Sequence, residues 1–119
     1  MPADIYEDWT IALRERLRST YERLVLAWSE ALAGRGACEQ AIAVTEHLLR
    51  LEPSLEPAHR ALMGYYCAAG WRDRAVQQYR RCAKALQQDL GIDPGPETTR
   101  LYHRILHCQV TWPEDGLDH

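Results

Sequence analysis

The 119 residues of the chain fit a single domain, and a chain of this size buries enough surface to fold without disulfides or a bound metal. A formal net charge of −3 and a pI near 5.9 argue against a general electrostatic attraction to nucleic acid. No apolar run approaches the roughly 18 residues of a membrane-spanning helix, and the N-terminus lacks the features of a signal peptide, so we expect a cytoplasmic protein.

The first predicted element is a long amphipathic helix. Between Ile5 and Leu32, large apolar residues recur every three or four positions, which places them on one helix face that we expect to be buried. Ser19-Thr20 could mark a bend or a break. Gly34 and Gly36 end the helix, because glycine tolerates the left-handed conformation that closes helices. The stripe comprises Trp9, Leu13, Leu17, Tyr21, Leu24, Trp28 and Leu32.

Two shorter helices are predicted next. The second runs from about Cys38 to Leu51, and Pro53 then prevents its continuation. The third begins near Pro57, which is tolerated in a first turn, with Ser54 as a plausible N-cap, and it stops at Gly70. Both helices carry apolar residues at helical spacing, so each is expected to bury one face.

The C-terminal third is predicted to hold two more helices. The fourth begins near Asp73, a plausible N-cap, and ends at Leu90. Residues 91–96 contain two glycines and two prolines and must form a turn or loop. The last helix runs from Glu97 to about Cys108. Since residues 109–119 show no clear element, we divide the chain into a domain, 1–108, and a C-terminal tail, 109–119.

An internal repeat predicts the fold. Gly36 and Gly70 lie 34 residues apart, and so do Ala41 and Ala75. A period of 34 is that of the tetratricopeptide repeat (TPR), a helix-turn-helix unit. The units cover about 22–55 and 56–89, and the flanking helices would serve as caps. We therefore predict an all-α, TPR-like helical repeat (an α-α superhelix) of two helix-turn-helix units with capping helices at both ends.

Several motifs make the chain similar to a known family. The first helix carries Tyr6-Glu7-Asp8-Trp9, and Leu51-Glu52-Pro53-Ser54-Leu55-Glu56 joins the second helix to the third. The segment from Leu86 to Leu101 has the form L-x(3)-L-G-x-x-P-x-x-E-T-x-x-L. From Tyr6 to about Leu106, the chain resembles the bacterial transcriptional activation domain of SARP-type, AfsR-like regulators.

The resemblance implies a protein-interaction domain of a bacterial transcription regulator. In that family the domain follows an N-terminal winged-helix DNA-binding domain, packs against it, and supports dimerisation and contacts with the transcription machinery. These 119 residues contain no such DNA-binding domain, so we expect one domain excised from a longer regulator, with a free-standing member of the family as the alternative. In either case we expect it to bind neither nucleic acid nor membrane directly. The alternative is a generic TPR-type adaptor that binds a peptide or partner protein outside transcription.

Candidate partner-binding residues come from the repeat geometry and from charge. The first helix of each TPR unit lines the groove of the array. Trp9 could anchor the DNA-binding domain, although core burial is the preferred interpretation for a large apolar residue at helical spacing. A basic cluster on the fourth helix could contact an acidic partner or phosphates, but a solvated face is favoured in an acidic chain. The candidates are Trp9, Arg23, Leu26, Glu30, Arg60, Cys67, Arg80 and Arg81.

Catalytic and metal chemistry have little support in the sequence. His103 and His107 share a helix face beside Cys108 and could bind a metal, but no third ligand follows at a typical spacing, so surface histidines are expected. There is no phosphate-binding loop or nucleophile elbow. Cys67 and Cys82 occupy repeat positions that should be core, as reduced, unreactive thiols. We expect no enzyme activity, no cofactor and no metal.

Overall fold

The computed structural model describes the backbone of residues 2–111 and the side chains of residues 8–107. Within this range it contains five α-helices and no strand. None of these helices has the length and apolar character needed to cross a membrane. The predicted all-α, TPR-like fold is confirmed. The helices are α1 Pro2–Gly34, α2 Cys38–Leu51, α3 Glu56–Ala68, α4 Arg72–Leu90 and α5 Pro96–Thr111.

The 34-residue period appears in the backbone as two equivalent turns. Gly36 and Gly70 both have φ near 84°, a conformation that L-residues with a side chain rarely adopt. In each turn the next backbone N–H reaches back to the preceding helix: Ala37 N–H donates to Leu32 O at 2.9 Å, and Trp71 N–H to Tyr66 O at 2.8 Å. These bonds satisfy carbonyls that the helix end would otherwise leave unpaired. The predicted helix-turn-helix units are therefore α1–α2 and α3–α4.

The core forms where α3 packs between its neighbours. Leu62 and Met63 are fully buried, and Tyr66 is nearly so. Ala41 and Ala75, the equivalent alanines of the two units, have no exposed surface, which lets the second helix of each unit approach the first closely. Ile105 of α5 joins the same cluster, so the C-terminal helix belongs to the body of the domain.

Several predicted details differ from the structure. α1 is unbroken, so no helix break occurs at Ser19-Thr20. Neither Ser54 nor Asp73 is an N-cap. The N-cap residue of α3 is Leu55 and that of α4 is Trp71, and neither makes a side-chain capping hydrogen bond. Because Asp73 lies one position inside α4, its carboxylate acts on the positive end of the helix dipole.

The last helix extends beyond the predicted boundary between the domain and the tail. α5 continues to Thr111, so residues 109–111 are helical. Residues 112–119 lie outside the described residues, and the division of the chain at 108 stays a prediction.

A buried polar network joins α3 to α4. His59 and Gln78 are almost fully buried. The carbonyl of Pro53 lies 2.7 Å from His59 Nε2, and Gln78 Nε2 lies 2.8 Å from His59 Nδ1. The amide nitrogen of Gln78 can only donate, so Nδ1 accepts and Nε2–H donates, which describes a neutral imidazole. Burial is the main cause that lowers the pKa of His59 below its ordinary value of 6.5.

We predict that this histidine makes the domain less stable in mild acid. A folded-state pKa below 6.5 means that the unfolded chain binds the proton more readily, so the stabilisation is complete above pH 6.5 and is lost as the pH falls below it. Urea unfolding at pH 7.5 and pH 5.5 measures the difference. His59→Gln should lose less free energy between these pH values than the wild type, whereas His47→Gln, at an exposed histidine, should not. An unchanged difference in His59→Gln would contradict the assignment.

Candidate functional site

The feature that stands out on the surface is an apolar stripe on α1. Six large side chains are between 39% and 65% exposed. They follow one another at steps of three or four residues and so form a continuous strip. An exposed, contiguous apolar strip of this kind makes this face of α1 a candidate interaction surface. The α1 stripe, as we define it, comprises Trp9, Leu13, Leu17, Tyr21, Leu24 and Trp28.

The body of the domain packs against a different face of α1. Ser29 and Leu32 are buried, and Ser29 Oγ lies 2.8 Å from Tyr65 Oη on α3. Val25, one turn earlier, is partly buried on the same side. At about 100° per residue, this face is rotated from the α1 stripe by roughly a third of a turn. The stripe therefore points away from the rest of the described chain.

The N-terminal half of α1 also extends beyond its neighbours. Arg18 Nε lies 3.5 Å from Glu52 Oε2, immediately after the end of α2, so the residues before Arg18 project past α2. The described side chains from 8 to 17 are exposed, except that of Thr10, which is partly buried. This half of the helix lacks the tertiary packing that normally stabilises a helix in water.

The predicted burial of this face is wrong, and so is the preferred core position of Trp9, which is 65% exposed. Most steps along the stripe are four residues, slightly longer than a helical turn of about 3.6 residues. The apolar line therefore winds slowly around α1. Only its last predicted member, Leu32, reaches the side that faces the body.

A second candidate surface is a groove of about 1120 Å³ between α1, α3 and α5. Three of the predicted partner-binding residues, Leu26, Glu30 and Arg60, line it. α5 supplies a wall that the repeat pattern did not predict, including Arg100 and Arg104. The signal in the sequence was their spacing, since residues four apart share a helix face.

The other predicted partner-binding residues lie elsewhere. Arg23 is exposed on α1, with Nη2 3.5 Å from Thr20 Oγ1. Cys67 is partly buried and packs against the core cluster. On α4, Arg80 is exposed, and Arg81 lines a cleft of about 460 Å³ beside His59. The structure thus distributes these side chains over several faces.

The basic cluster of α4 comprises Arg72, Arg74, Arg80, Arg81 and Lys84. Two of these residues make contacts with other side chains. The guanidinium of Arg74 lies 5.2 Å from the ring centre of Tyr66 and 4.9 Å from that of Trp71, within the range of cation–π attraction. Arg72 Nη2 approaches Asp73 Oδ1 at 4.0 Å. Its remaining members are Arg80, Arg81 and Lys84, which are exposed.

Glu56 connects α3 to the loop before α5. Its Oε2 accepts hydrogen bonds from Gly95 N–H at 2.7 Å and from Thr98 Oγ1 at 2.5 Å. Arg60 Nη1 lies 4.0 Å from the same oxygen and also donates to Thr98 Oγ1 at 3.1 Å. Arg60 Nη2 pairs with Glu97 at 3.3 Å. The pair Glu56–Arg60 therefore links the second repeat to α5.

The histidines and cysteines that were considered as metal ligands or nucleophiles are either exposed on the surface or buried in the core. His103 and His107 are exposed, as predicted, and His107 Nδ1–H donates to His103 O at 2.8 Å. The side chain of Cys108 lies outside the described ones. Cys82 is fully buried, and burial raises the pKa of its thiol to about 12, so it stays protonated. Within the described side chains, no group of three or more His, Cys, Asp or Glu residues is placed to hold a metal ion.

Comparisons with known proteins agree on one family. Residues 2–106 match the family model of the bacterial transcriptional activator domain. The chain is similar to the transcriptional regulatory protein EmbR of Mycobacterium tuberculosis, with 37% identity over 91 residues, which is 74% of this chain and 24% of that protein. It is also similar to the transcriptional regulatory protein MoaR1 of the same organism, with 31% identity over 78 residues, or 66% of this chain and 25% of MoaR1.

A solved structure has a similar fold. It is that of Mycobacterium tuberculosis EmbR in complex with a low affinity phosphopeptide, with a TM-score of 0.65 and 36% identity, and the match covers 69% of this chain and 22% of EmbR. The chain thus spans about a quarter of the length of the relatives it matches.

We predict that Glu56 stabilises the domain and that its neighbour Glu97 contributes much less. Glu56→Ala leaves Gly95 N–H and Thr98 without their acceptor, so we expect a loss of about 2 kcal/mol in the free energy of unfolding. Glu97→Ala removes a carboxylate that is 70% exposed and should cost less than about 1 kcal/mol. Urea denaturation of both variants measures this, and equal losses would refute the role of Glu56.

Proposed function

The chain belongs to the bacterial transcriptional activator domain family, and we propose that it serves its regulator as an interaction domain whose α1 stripe packs against a neighbouring DNA-binding domain. The stripe is the observation that carries this proposal. It presents six large apolar side chains to solvent along a single helix. Covering such side chains yields about 1.5–3 kcal/mol for each one that becomes fully buried.

The shape of α1 supports a neighbour of domain size. The helix is about 50 Å long, and its N-terminal half projects beyond α2. A short peptide would cover only part of the stripe, whereas a folded domain could cover its whole length. The relatives EmbR and MoaR1 are transcriptional regulatory proteins about four times as long as the matched segment, which leaves room in them for further domains.

Two other roles stay predictions. Dimerisation would place the α1 stripes of two copies against each other, and contacts with the transcription machinery would use surfaces that remain accessible in the regulator. The rival function, a TPR-type adaptor outside transcription, would depend mainly on the groove between α1, α3 and α5.

The test is sedimentation of the chain alone and with the DNA-binding segment of its regulator. We expect association with that segment, weakened about ten-fold or more when Leu17 and Leu24 are both replaced by glutamine. Glutamine has nearly the helix propensity of leucine, so the substitutions remove apolar surface with little effect on α1 itself. A strictly monomeric, non-interacting chain would overturn the proposal and favour the adaptor.

A matched control lies on the same helix. Ile11 is 54% exposed but occupies another face of α1, so Ile11→Gln should leave the association unchanged. If the chain instead self-associates, and only the double variant at Leu17 and Leu24 is monomeric, the α1 stripe is a dimer interface and the docking proposal fails.

A further inference from the structure

The groove between α1, α3 and α5 has an apolar floor and one basic wall. The basic wall is the face of α5 that carries Arg100 and Arg104, which are one helical turn apart. Apolar side chains of all three helices form the floor. They are Leu26 of α1, Pro57 and Ala61 of α3, and Leu101 of α5. A groove of this composition can cover apolar side chains of a ligand while the wall pairs with its carboxylates.

The two arginines of α5 differ from the third arginine of the groove. Arg60 is already paired with the carboxylates of Glu56 and Glu97. Arg100 and Arg104 are exposed and, among the described side chains, take part in no ion pair. Their charge is therefore available to a ligand, and an anionic ligand is attracted to the α5 side of the groove.

The spacing of Arg100 and Arg104 matches that of alternate residues in an extended peptide. Four residues of an α-helix rise about 6 Å along its axis. In an extended chain, side chains two residues apart lie on one face and are separated by about 6.6 Å. Carboxylates at alternate positions of a peptide that runs along α5 can thus reach both guanidinium groups. The side chains between them point the opposite way, toward the apolar residues that α1 and α3 supply.

The lining of the groove favours a peptide over a nucleic acid. Sites for single-stranded nucleic acid combine basic residues along the backbone with aromatic side chains on which the bases stack. The described residues that line this groove include no tryptophan, tyrosine or phenylalanine. Two unpaired arginines would neutralise only two phosphates, which supplies little of the affinity of a typical nucleic-acid site.

We propose that this groove binds a short, extended, acidic segment of a partner protein, in which carboxylates alternate with apolar side chains. The carboxylates pair with Arg100 and Arg104, and the apolar side chains cover the floor. Binding of this kind is weak and salt-dependent, because the ion pairs are exposed to solvent. The groove uses a face of α1 other than the α1 stripe, so this proposal goes beyond the docking function and is independent of it.

The test is an NMR titration of the complete, ¹⁵N-labelled 119-residue chain with two synthetic peptides. One has the core Leu-Glu-Leu-Glu-Leu, flanked by serine and glycine and with both ends blocked. The reference peptide has glutamine in place of both glutamates. We expect the acidic peptide to bind about ten-fold more tightly at low salt and to shift the amide signals of the residues that line the groove. Added salt should reduce the difference between the two peptides.

Variants of the protein locate the binding site. Arg100→Gln/Arg104→Gln should weaken binding of the acidic peptide about five-fold or more and leave that of the reference peptide unchanged. Arg80→Gln/Lys84→Gln is the matched control, because it removes the same charge from two exposed positions one turn apart on α4. It should change the affinity of neither peptide.

Glu30 offers a variant that should gain affinity. Its exposed carboxylate projects from α1, on the wall opposite Arg100 and Arg104. Glu30→Gln removes a charge of the same sign as the ligand, so the acidic peptide should bind about two-fold more tightly. Misfolding does not produce such a gain, so this variant tests the proposal even if the arginine variant folds poorly.

Three results would overturn the proposal. The acidic peptide could bind no more tightly than the reference peptide. Its affinity could be the same for the wild type and for Arg100→Gln/Arg104→Gln. A short DNA duplex could instead bind with a dependence on these two arginines while the acidic peptide does not, which would assign the groove to nucleic acid. Failure of the docking function would be seen in sedimentation and would leave the peptide titration unchanged.

Discussion

Burial of α3 on several sides at once is the constraint on which the rest of the fold depends. Each of the other described helices contacts α3, and the fully buried Leu62 and Met63 lie on it. A helix surrounded in this way needs small residues where backbones approach, which Ala58 provides with no exposed surface. It also needs partners for its polar groups, which His59 finds in Gln78 and in the carbonyl of Pro53. The two repeats and α5 are positioned by this one helix.

The first residue of α3, Glu56, also influences the geometry of the groove between α1, α3 and α5. Glu56 fixes the loop at Gly95 and the first turn of α5 at Thr98, so the direction of α5 depends on a carboxylate 39 residues earlier in the chain. Because α5 forms one wall of the groove, the same contact determines where Arg100 and Arg104 lie relative to α1. A substitution at Glu56 would therefore change the groove as well as the stability of the domain.

Much of the fold could be predicted because its signals are local. Gly36, Gly70 and Pro53 define helix ends through backbone conformation alone, and the 34-residue spacing of the glycines gives the repeat. The contacts of Glu56 and His59 could not be predicted, since their partners are distant in sequence. The exposure of the α1 stripe was missed for a different reason: periodicity tells which residues share a helix face but not what covers that face. The part of the groove that the repeat helices α1 and α3 line was predicted, whereas the wall that α5 supplies was not.

The continuity of α1 has a mechanical consequence. One unbroken helix joins the projecting N-terminal half, which carries three of the six residues of the α1 stripe, to the half that packs on α2 and α3. Such a helix behaves as a stiff lever with its fulcrum near Arg18. With a projecting arm of about 25 Å, a tilt of about 10° at the fulcrum displaces the far end by about 4 Å. A body attached to that arm would thus be repositioned by small repacking movements around Ser29 and Leu32, with no change in its own contacts to the helix.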